Sequence, residues 1–188
     1  MTKTRLLIAG IGNIFLGDDG FGVEVAQRLA RRPTPEGVRV VDFGIRGVDL
    51  AYALLEDQDA TVLVDALPRG AAPGTLCVIE PDLASALAPG GAGSAIEGHS
   101  MDPVKVLRMV GALGGRPKRV LVVGCEPASF GEDEGGRMGL SAPVAGAVDD
   151  AVRLVESLVA DLLAEGGRNG HSESPAVMRA GVEVEGPT

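Results

Sequence analysis

Three aspartates and one histidine of this 188-residue chain stand where an α/β protein commonly places its functional groups. Asp19 lies in a Gly-rich loop after the first apolar run, and Asp42 and Asp65 each close a short, Val-rich segment. His99 precedes the helical pattern ahead of the last apolar run. Because the carboxyl ends of parallel strands meet along one edge of a sheet, these four residues can converge there although they are far apart in sequence.

Carboxylates and one imidazole could bind a metal ion at three points and leave positions open for water or substrate. The same groups could do acid–base chemistry. Each Asp alone also has a structural explanation, since an Asp after a strand commonly caps a helix or closes a turn. A site rich in histidine is excluded, because the only other histidine, His171, lies in a C-terminal segment that is predicted to be disordered.

The loop around Asp19, residues 10–22, reads GIGNIFLGDDGFG. A phosphate-binding loop presents backbone N–H groups and often a Lys, whereas the adjacent carboxylates of Asp18 and Asp19 would repel an anion. The loop also partly matches the dinucleotide-binding motif G-x-G-x-x-G: the first two glycines are present, but Phe15 occupies the position of the third. In such a protein Asp42 could bind a ribose. We favour a loop that holds a cation or does acid–base chemistry.

The chain has two cysteines, and neither belongs to a C-x-x-C pair. Cys125 follows the last predicted strand and could act as a nucleophile with His99 as its base. We favour the alternative, a buried and inert thiol, for Cys125 and also for Cys77.

Alternating strand and helix patterns must position these residues. Near-continuous apolar runs predict buried strands at residues 5–9, 38–42, 60–66 and 118–124. Another strand, residues 75–80, follows a turn-rich connection without a helix, which favours an antiparallel direction. The predicted fold is a three-layer α/β/α sandwich with a mostly parallel, five-stranded twisted sheet.

A loop rich in Ala, Gly and Ser, residues 82–98, is predicted to be mobile and to deliver His99 to the start of the next helix. Ser100 or Asp102 could cap that helix, with Pro103 in its first turn. The predicted buried stripe of this helix consists of Val104, Leu107, Val110 and Leu113.

One domain is predicted over residues 1–165, with a final helix that ends near Leu163 and a disordered tail over residues 166–188. The net charge of −9 argues against nucleic acid and anionic membranes as partners. No apolar run is long enough for a signal peptide or a membrane span, so we expect a cytoplasmic protein.

Several segments, in one order along the chain, resemble the motifs of the [NiFe]-hydrogenase maturation endopeptidases. A single such motif would be weak, but the ordered set is specific. The segments are residues 10–23, 42–44, 47–50, 62–66, 99–107, 124–127 and 139–144.

The resemblance implies an α/β/α enzyme that removes a short C-terminal extension from the precursor of the hydrogenase large subunit after nickel has entered. It assigns metal contact and catalysis to Asp19, Asp65 and His99, with Asp19 where some members carry Glu. Of the two adjacent aspartates in the first loop, we therefore expect Asp19 to be the ligand and Asp18 to be a turn or cap residue. Asp42 is implicated with a less defined role. We expect Asp42, Gly44 and Asn13 to bind the substrate or to support the site, and nickel to arrive with the precursor.

Two other function classes stay open at this point. A nickel-sensing chaperone of the precursor would use the same residues without cutting the precursor. A nucleotide-binding protein of the Rossmann kind would instead bind a dinucleotide at the first loop, against which the acidic residues of that loop argue.

Overall fold

In the computed structural model, five β-strands form one sheet in the order β2-β1-β3-β5-β4. The first four strands in this order are parallel to one another, and β4 pairs with β5 in the antiparallel direction. The predicted sheet and its antiparallel strand are therefore confirmed. The strands are β1 (Leu6–Ile11), β2 (Val38–Gly44), β3 (Ala60–Ala66), β4 (Leu76–Ile79) and β5 (Val120–Cys125). The structure describes residues 4–88, 102–130 and 138–167.

Helices cover both faces of this sheet. The helices are α1 (Phe21–Ala30), α2 (Gly47–Leu55), the one-turn α3 (Leu83–Ala86), α4 (Pro103–Ala112) and α5 (Ala142–Gly167), and a 3-10 turn (Gly17–Gly20) leads into α1. Buried side chains of α1 and α5 pack on one face, and those of α2 and α4 pack on the other. The predicted three-layer α/β/α sandwich is confirmed.

The strands in the middle of the sheet are apolar throughout because both of their faces are covered. Every residue of β1, β3 and β5 is buried. Along β3, Val62 and Val64 join the layer of α1 and α5, whereas Leu63 joins the layer of α2 and α4. This alternation also decides which layer a polar side chain at the end of a strand faces.

The predicted buried stripe of α4 is wrong at both of its ends. Leu107 and Val110 are buried, but Val104 and Leu113 are 43% and 48% exposed, and Val106 is buried instead. The predicted residues are three positions apart, which is about 60° short of a full helical turn. Over several turns, residues at this spacing therefore move around the helix and away from its buried face. Of the two predicted cap residues, Asp102 caps the helix, since it accepts a hydrogen bond from the Val104 N–H at 2.8 Å. Pro103 is the first residue of the helix, as predicted.

Two predicted segments, the loop before His99 and the C-terminal tail, are only partly described by the structure. α3 occupies part of the segment predicted as a loop, and the rest of that segment as far as His99 lies outside the described residues. α5 ends at Gly167, two residues past the predicted domain boundary, and residues 168–188 are not described. No helix in the described ranges is long and apolar enough to cross a membrane.

Candidate functional site

The loop after β1 folds Asp19 back over the end of that strand. Gly12 has a φ of +128°, and a Cβ atom there would lie 1.7 Å from the carbonyl oxygen of Asp19. Glycine is required at this position, since it alone combines this backbone angle with so close an approach. The Asn13 N–H donates to Oδ2 of Asp19 at 2.7 Å, and Asp19 is only 3% exposed. The predicted supporting residue Asn13 therefore orients the carboxylate through its backbone.

Asp65 is the second-last residue of β3, just before the chain leaves the sheet. It lies two residues after Leu63, so it faces the layer of α2 and α4, and it is 3% exposed. Burial raises the pKa of its carboxyl group well above the usual range, and the charges of Asp19 and Asp102 raise this pKa further. The Ala66 N–H, which donates to Oδ1 at 2.9 Å, lowers it only in part.

The structure thus brings Asp19 and Asp65 together as a buried pair of carboxyl groups. Two such groups in one apolar environment resist ionising together, which favours a proton on Asp65 while no cation is near. A cation that binds the pair must displace this proton, because metal ligands bind in their deprotonated form. The pair can therefore hold a proton, release it, or bind a cation.

The predicted third member of the site, His99, lies outside the described residues. Asp102, the first described residue after it, is close enough for its charge to raise the pKa of Asp65. Within the ranges that the structure describes, no group of three or more His, Cys, Asp or Glu side chains could hold a metal ion. The described part of the site is therefore a pair of carboxyl groups.

Asp42 does not join this pair, although it lies near the carboxyl end of β2. Val40, two residues earlier in β2, packs into the layer of α1 and α5. The side chain of Asp42 faces the same layer, where Gln27 of α1 donates to its Oδ2 at 3.0 Å. Asp65 faces the opposite layer, so the predicted convergence holds for Asp19 and Asp65 but not for Asp42.

Gly44 supports the loop by its backbone. It has a φ of +54°, and its carbonyl oxygen accepts the Gly12 N–H at 3.1 Å. This bond connects the last residue of β2 to the loop that carries Asp19. A direct contact of Gly44 with substrate stays a prediction.

Sequence reasoning missed the role of Asp18. Its carboxylate is 1% exposed and accepts hydrogen bonds from Ala128, Ser129 and Ser141, which are 110 to 123 residues further along the chain. Asp18 was predicted as a local turn or cap residue, and its contacts are instead long-range. No local sequence pattern signals such contacts.

Cys125 does not suit the role of a nucleophile. The side chain is fully buried, and burial raises the pKa of its thiol to about 12, with the charge of Asp18 adding to the effect. Since the thiolate is the nucleophilic form, a thiol with this pKa is unreactive near neutral pH. This supports the interpretation of Cys125 as an inert core residue.

Comparisons with known proteins point to one family. Residues 23–158 match the family model described as hydrogenase maturation protease. The chain is 31% identical over 185 residues to the hydrogenase expression/formation protein HoxM of Azotobacter vinelandii, covering 96% of this chain and 86% of that protein. It is 30% identical over 128 residues to the hydrogenase 2 maturation protease of Escherichia coli strain K12, covering 67% and 75%.

A solved structure shows the same fold. The [NiFe] hydrogenase maturation protease HycI from Thermococcus kodakarensis KOD1 superimposes with a TM-score of 0.57 at 29% identity. The match covers 86% of this chain and 94% of that protein. The similarity therefore extends over most of both chains.

Proposed function

This chain belongs to the hydrogenase maturation protease family, and from that we propose that it removes the C-terminal extension of a nickel-loaded [NiFe]-hydrogenase large-subunit precursor. Membership of this family makes it a hydrolase of the maturation-endopeptidase kind. The observation that carries the proposal for this chain is the buried pair of Asp19 and Asp65 at the carboxyl edge of the sheet.

Nickel enters this proposal as part of the substrate. The precursor would present its nickel to Asp19, Asp65 and His99, and the protein need not hold a metal ion of its own. Oxygen and nitrogen ligands of these types suit a divalent transition metal. The proton that Asp65 holds in the absence of a cation would be displaced on docking, so the charge of the site would change only when nickel is present.

Hydrolysis adds water across the scissile peptide bond, with hydroxide going to the carbonyl carbon and a proton to the leaving nitrogen. Nickel would polarise the carbonyl group or the water. A carboxylate of the pair would accept the proton of the attacking water and return it to the leaving amine. Asp65 suits this exchange, because burial raises the pKa of its carboxyl group above that of an ordinary Asp and so makes its carboxylate a stronger proton acceptor.

The two other function classes make different predictions. A chaperone would bind the loaded precursor without changing its mass. A dinucleotide-binding protein would need an anion to approach the first loop, in which the carboxylates of Asp18 and Asp19 are buried. A cytoplasmic location stays a prediction.

The test is incubation of nickel-loaded precursor with the protein, followed by intact-mass measurement. We expect the precursor to lose one C-terminal peptide, and precursor without nickel to stay unchanged. Asp19→Asn, Asp65→Asn and His99→Ala should each lower the rate by about 100-fold or more, the usual contribution of a positioned acid–base group.

The matched control is Asp150→Asn, which changes an exposed aspartate on the outer side of α5. It should process the precursor at the normal rate. An unchanged precursor mass with the unmodified protein would contradict the proposed activity, and saturable binding without cleavage would support the chaperone. Full activity of all three site variants would contradict the assignment of residues.

A further inference from the structure

Asp18 carries a buried carboxylate that the proposed reaction does not use. Its Oδ2 accepts the N–H groups of Ala128 and Ser129 at 2.8 and 3.2 Å and the hydroxyl group of Ser141 at 2.9 Å. Its Oδ1 accepts the Ser141 N–H at 2.6 Å. Four donors thus meet one carboxylate, and hydrogen bonds to a charged acceptor are stronger than those between neutral groups.

These contacts join three segments that are distant in sequence. Asp18 lies in the loop after β1, Ala128 and Ser129 follow β5, and Ser141 directly precedes α5. The backbone adds a contact in the reverse direction, since the Asp18 N–H donates to the carbonyl oxygen of Ser129 at 3.2 Å. Through Asp18, the loop after β1 is therefore hydrogen-bonded both to the segment that follows β5 and to the residue that precedes α5.

The next residue, Asp19, is held by contacts with other residues of its own loop, Gly12 and Asn13. Its carbonyl oxygen occupies the space where Gly12 lacks a side chain, and its Oδ2 accepts the Asn13 N–H. The two neighbouring carboxylates therefore have different partners: that of Asp18 bonds to the β5–α5 side, and that of Asp19 to its own loop. Because the two residues share a peptide bond, a shift of Asp18 would move the Asp19 carboxylate relative to Asp65.

We propose that Asp18 is a positioning residue, whose carboxylate holds the Asp19 loop against β5 and α5 and so sets the place of Asp19 beside Asp65. The proposal rests on the proposed function for its consequence, since catalysis depends steeply on placement. A displacement of about 1 Å can cost about 100-fold in rate. Asp18 itself touches neither the substrate nor the reacting atoms in this scheme.

The chain offers a matched control in Glu126. This residue is also a buried carboxylate at the end of β5, and it accepts the N–H groups of Arg69 and Gly70 at 2.7 and 3.1 Å. Its partners belong to the connection between β3 and β4 and not to the Asp19 loop. Glu126→Gln and Asp18→Asn each replace one carboxylate oxygen by an NH2 group facing backbone donors, so both should lower stability.

Two readouts separate positioning from a general loss of stability. In Asp18→Asn we expect kcat for the nickel-loaded precursor to fall by about 10- to 100-fold with KM within about threefold. We expect the NMR signal of the Asn13 amide, which reports the hydrogen bond to Asp19, to shift and to exchange faster with solvent. In Glu126→Gln, kcat and the Asn13 amide signal should stay as in the unmodified protein.

The proposal is overturned if Asp18→Asn loses stability while kcat and the Asn13 signal stay unchanged, or if Glu126→Gln lowers kcat equally. Should Asp18→Asn fail to fold, Ser141→Ala is measured in the same way, since it removes one of the four bonds and should shift the Asn13 signal in the same direction. The Asn13 signal needs no precursor, so a failure of the unmodified protein to cleave the precursor would contradict the proposed function alone.

Discussion

At the scale of single residues, the carboxyl group of Asp65 is buried at the end of β3, where ionisation is unfavourable. Its pKa is raised by burial first and by the charges of Asp19 and Asp102 second. The folded protein therefore binds this proton more tightly than the unfolded chain does. The resulting stability is fully present below the unfolded pKa of about 3.9 and is lost as the pH rises through the raised pKa of the folded state.

Asp65→Asn should therefore stabilise the protein at pH 7 while it abolishes processing of the precursor. The amide of Asn cannot ionise, and each unit by which the pKa of Asp65 is raised corresponds to about 1.4 kcal/mol in the free energy of unfolding. Urea unfolding from pH 4 to pH 8 measures this. In the unmodified protein the free energy of unfolding should fall over this range more steeply than in the variant.

The exposed variant Asp150→Asn serves as the control and should keep the pH dependence of the unmodified protein. A variant Asp65→Asn that is less stable than the unmodified protein at pH 7 would contradict the raised pKa. Such a combination of higher stability and lost activity is typical of residues that serve function at a cost in stability.

At the scale of elements, the side chain of Asp102 at the start of α4 has two separate effects, one on the helix and one on Asp65. Asp102 caps the helix by accepting the Val104 N–H, and its negative charge raises the pKa of Asp65. The cap is a property of α4 alone, whereas the charge acts on a residue of β3. Two substitutions can separate these effects.

Asp102→Ala should lower the free energy of unfolding by about 1 kcal/mol through loss of the cap, whereas Asp102→Asn should lower it much less because Asn is also a good cap residue. Both variants remove the charge, so in both the fall of stability with rising pH should become smaller. Urea unfolding of the two variants at pH 5 and pH 8 provides the measurement. If Asp102→Asn kept the full pH dependence, the charge of Asp102 would have no part in the pKa of Asp65.

In helix α2, hydrophobic periodicity does not decide which face is buried. Its sequence is apolar almost all round, and helical spacing alone would assign Val48 and Tyr52 to a buried face. In the structure these two residues are 56% and 59% exposed, whereas Leu50 and Leu54 are buried. A helix without a distinct polar side has no unique inner face in its sequence, and the packing against β2 and α4 selects one.

At the scale of the whole molecule, both helical layers pack against the same sheet. Leu29 of α1 and Leu50 of α2 are buried on opposite sides of it. The central strands contribute alternate side chains to both layers, so neither layer has a core without the sheet. We therefore expect the described domain to unfold as one cooperative unit.

Leu29→Ala and Leu50→Ala should each lower the free energy of unfolding by about 2–5 kcal/mol, the usual cost of a Leu-sized cavity in a core. Both variants should show a single transition, with the same midpoint by far-UV circular dichroism and by the fluorescence of Tyr52, the only tyrosine of the chain. Midpoints that differ between the two probes would indicate layers that unfold separately.

Much of the fold could be predicted because its signals are local. Continuous apolar runs mark strands that are covered on both faces, and a connection without a helix allowed β4 to turn back beside β5. The pairing of Asp19 with Asp65 was predictable from topology, since β1 and β3 are neighbours with parallel carboxyl ends. The assignment of Asp42 to the same group was not, because the side to which a strand directs its last residue depends on register.

The amino-acid sequence by itself determined the α/β alternation, the acidic Gly-rich loop and the family, because each depends on residue types at short spacing or on motifs in a fixed order. Only the tertiary structure decided that Asp42 faces α1 and that the carboxyl groups of Asp19 and Asp65 are both buried. It alone gave Asp18 its partners after β5 and before α5. The physical reason is that burial, pKa and long-range hydrogen bonds arise from contacts between segments that the folded chain brings together, and Asp18 and Asp19, adjacent in the first loop, acquire different roles only through those contacts.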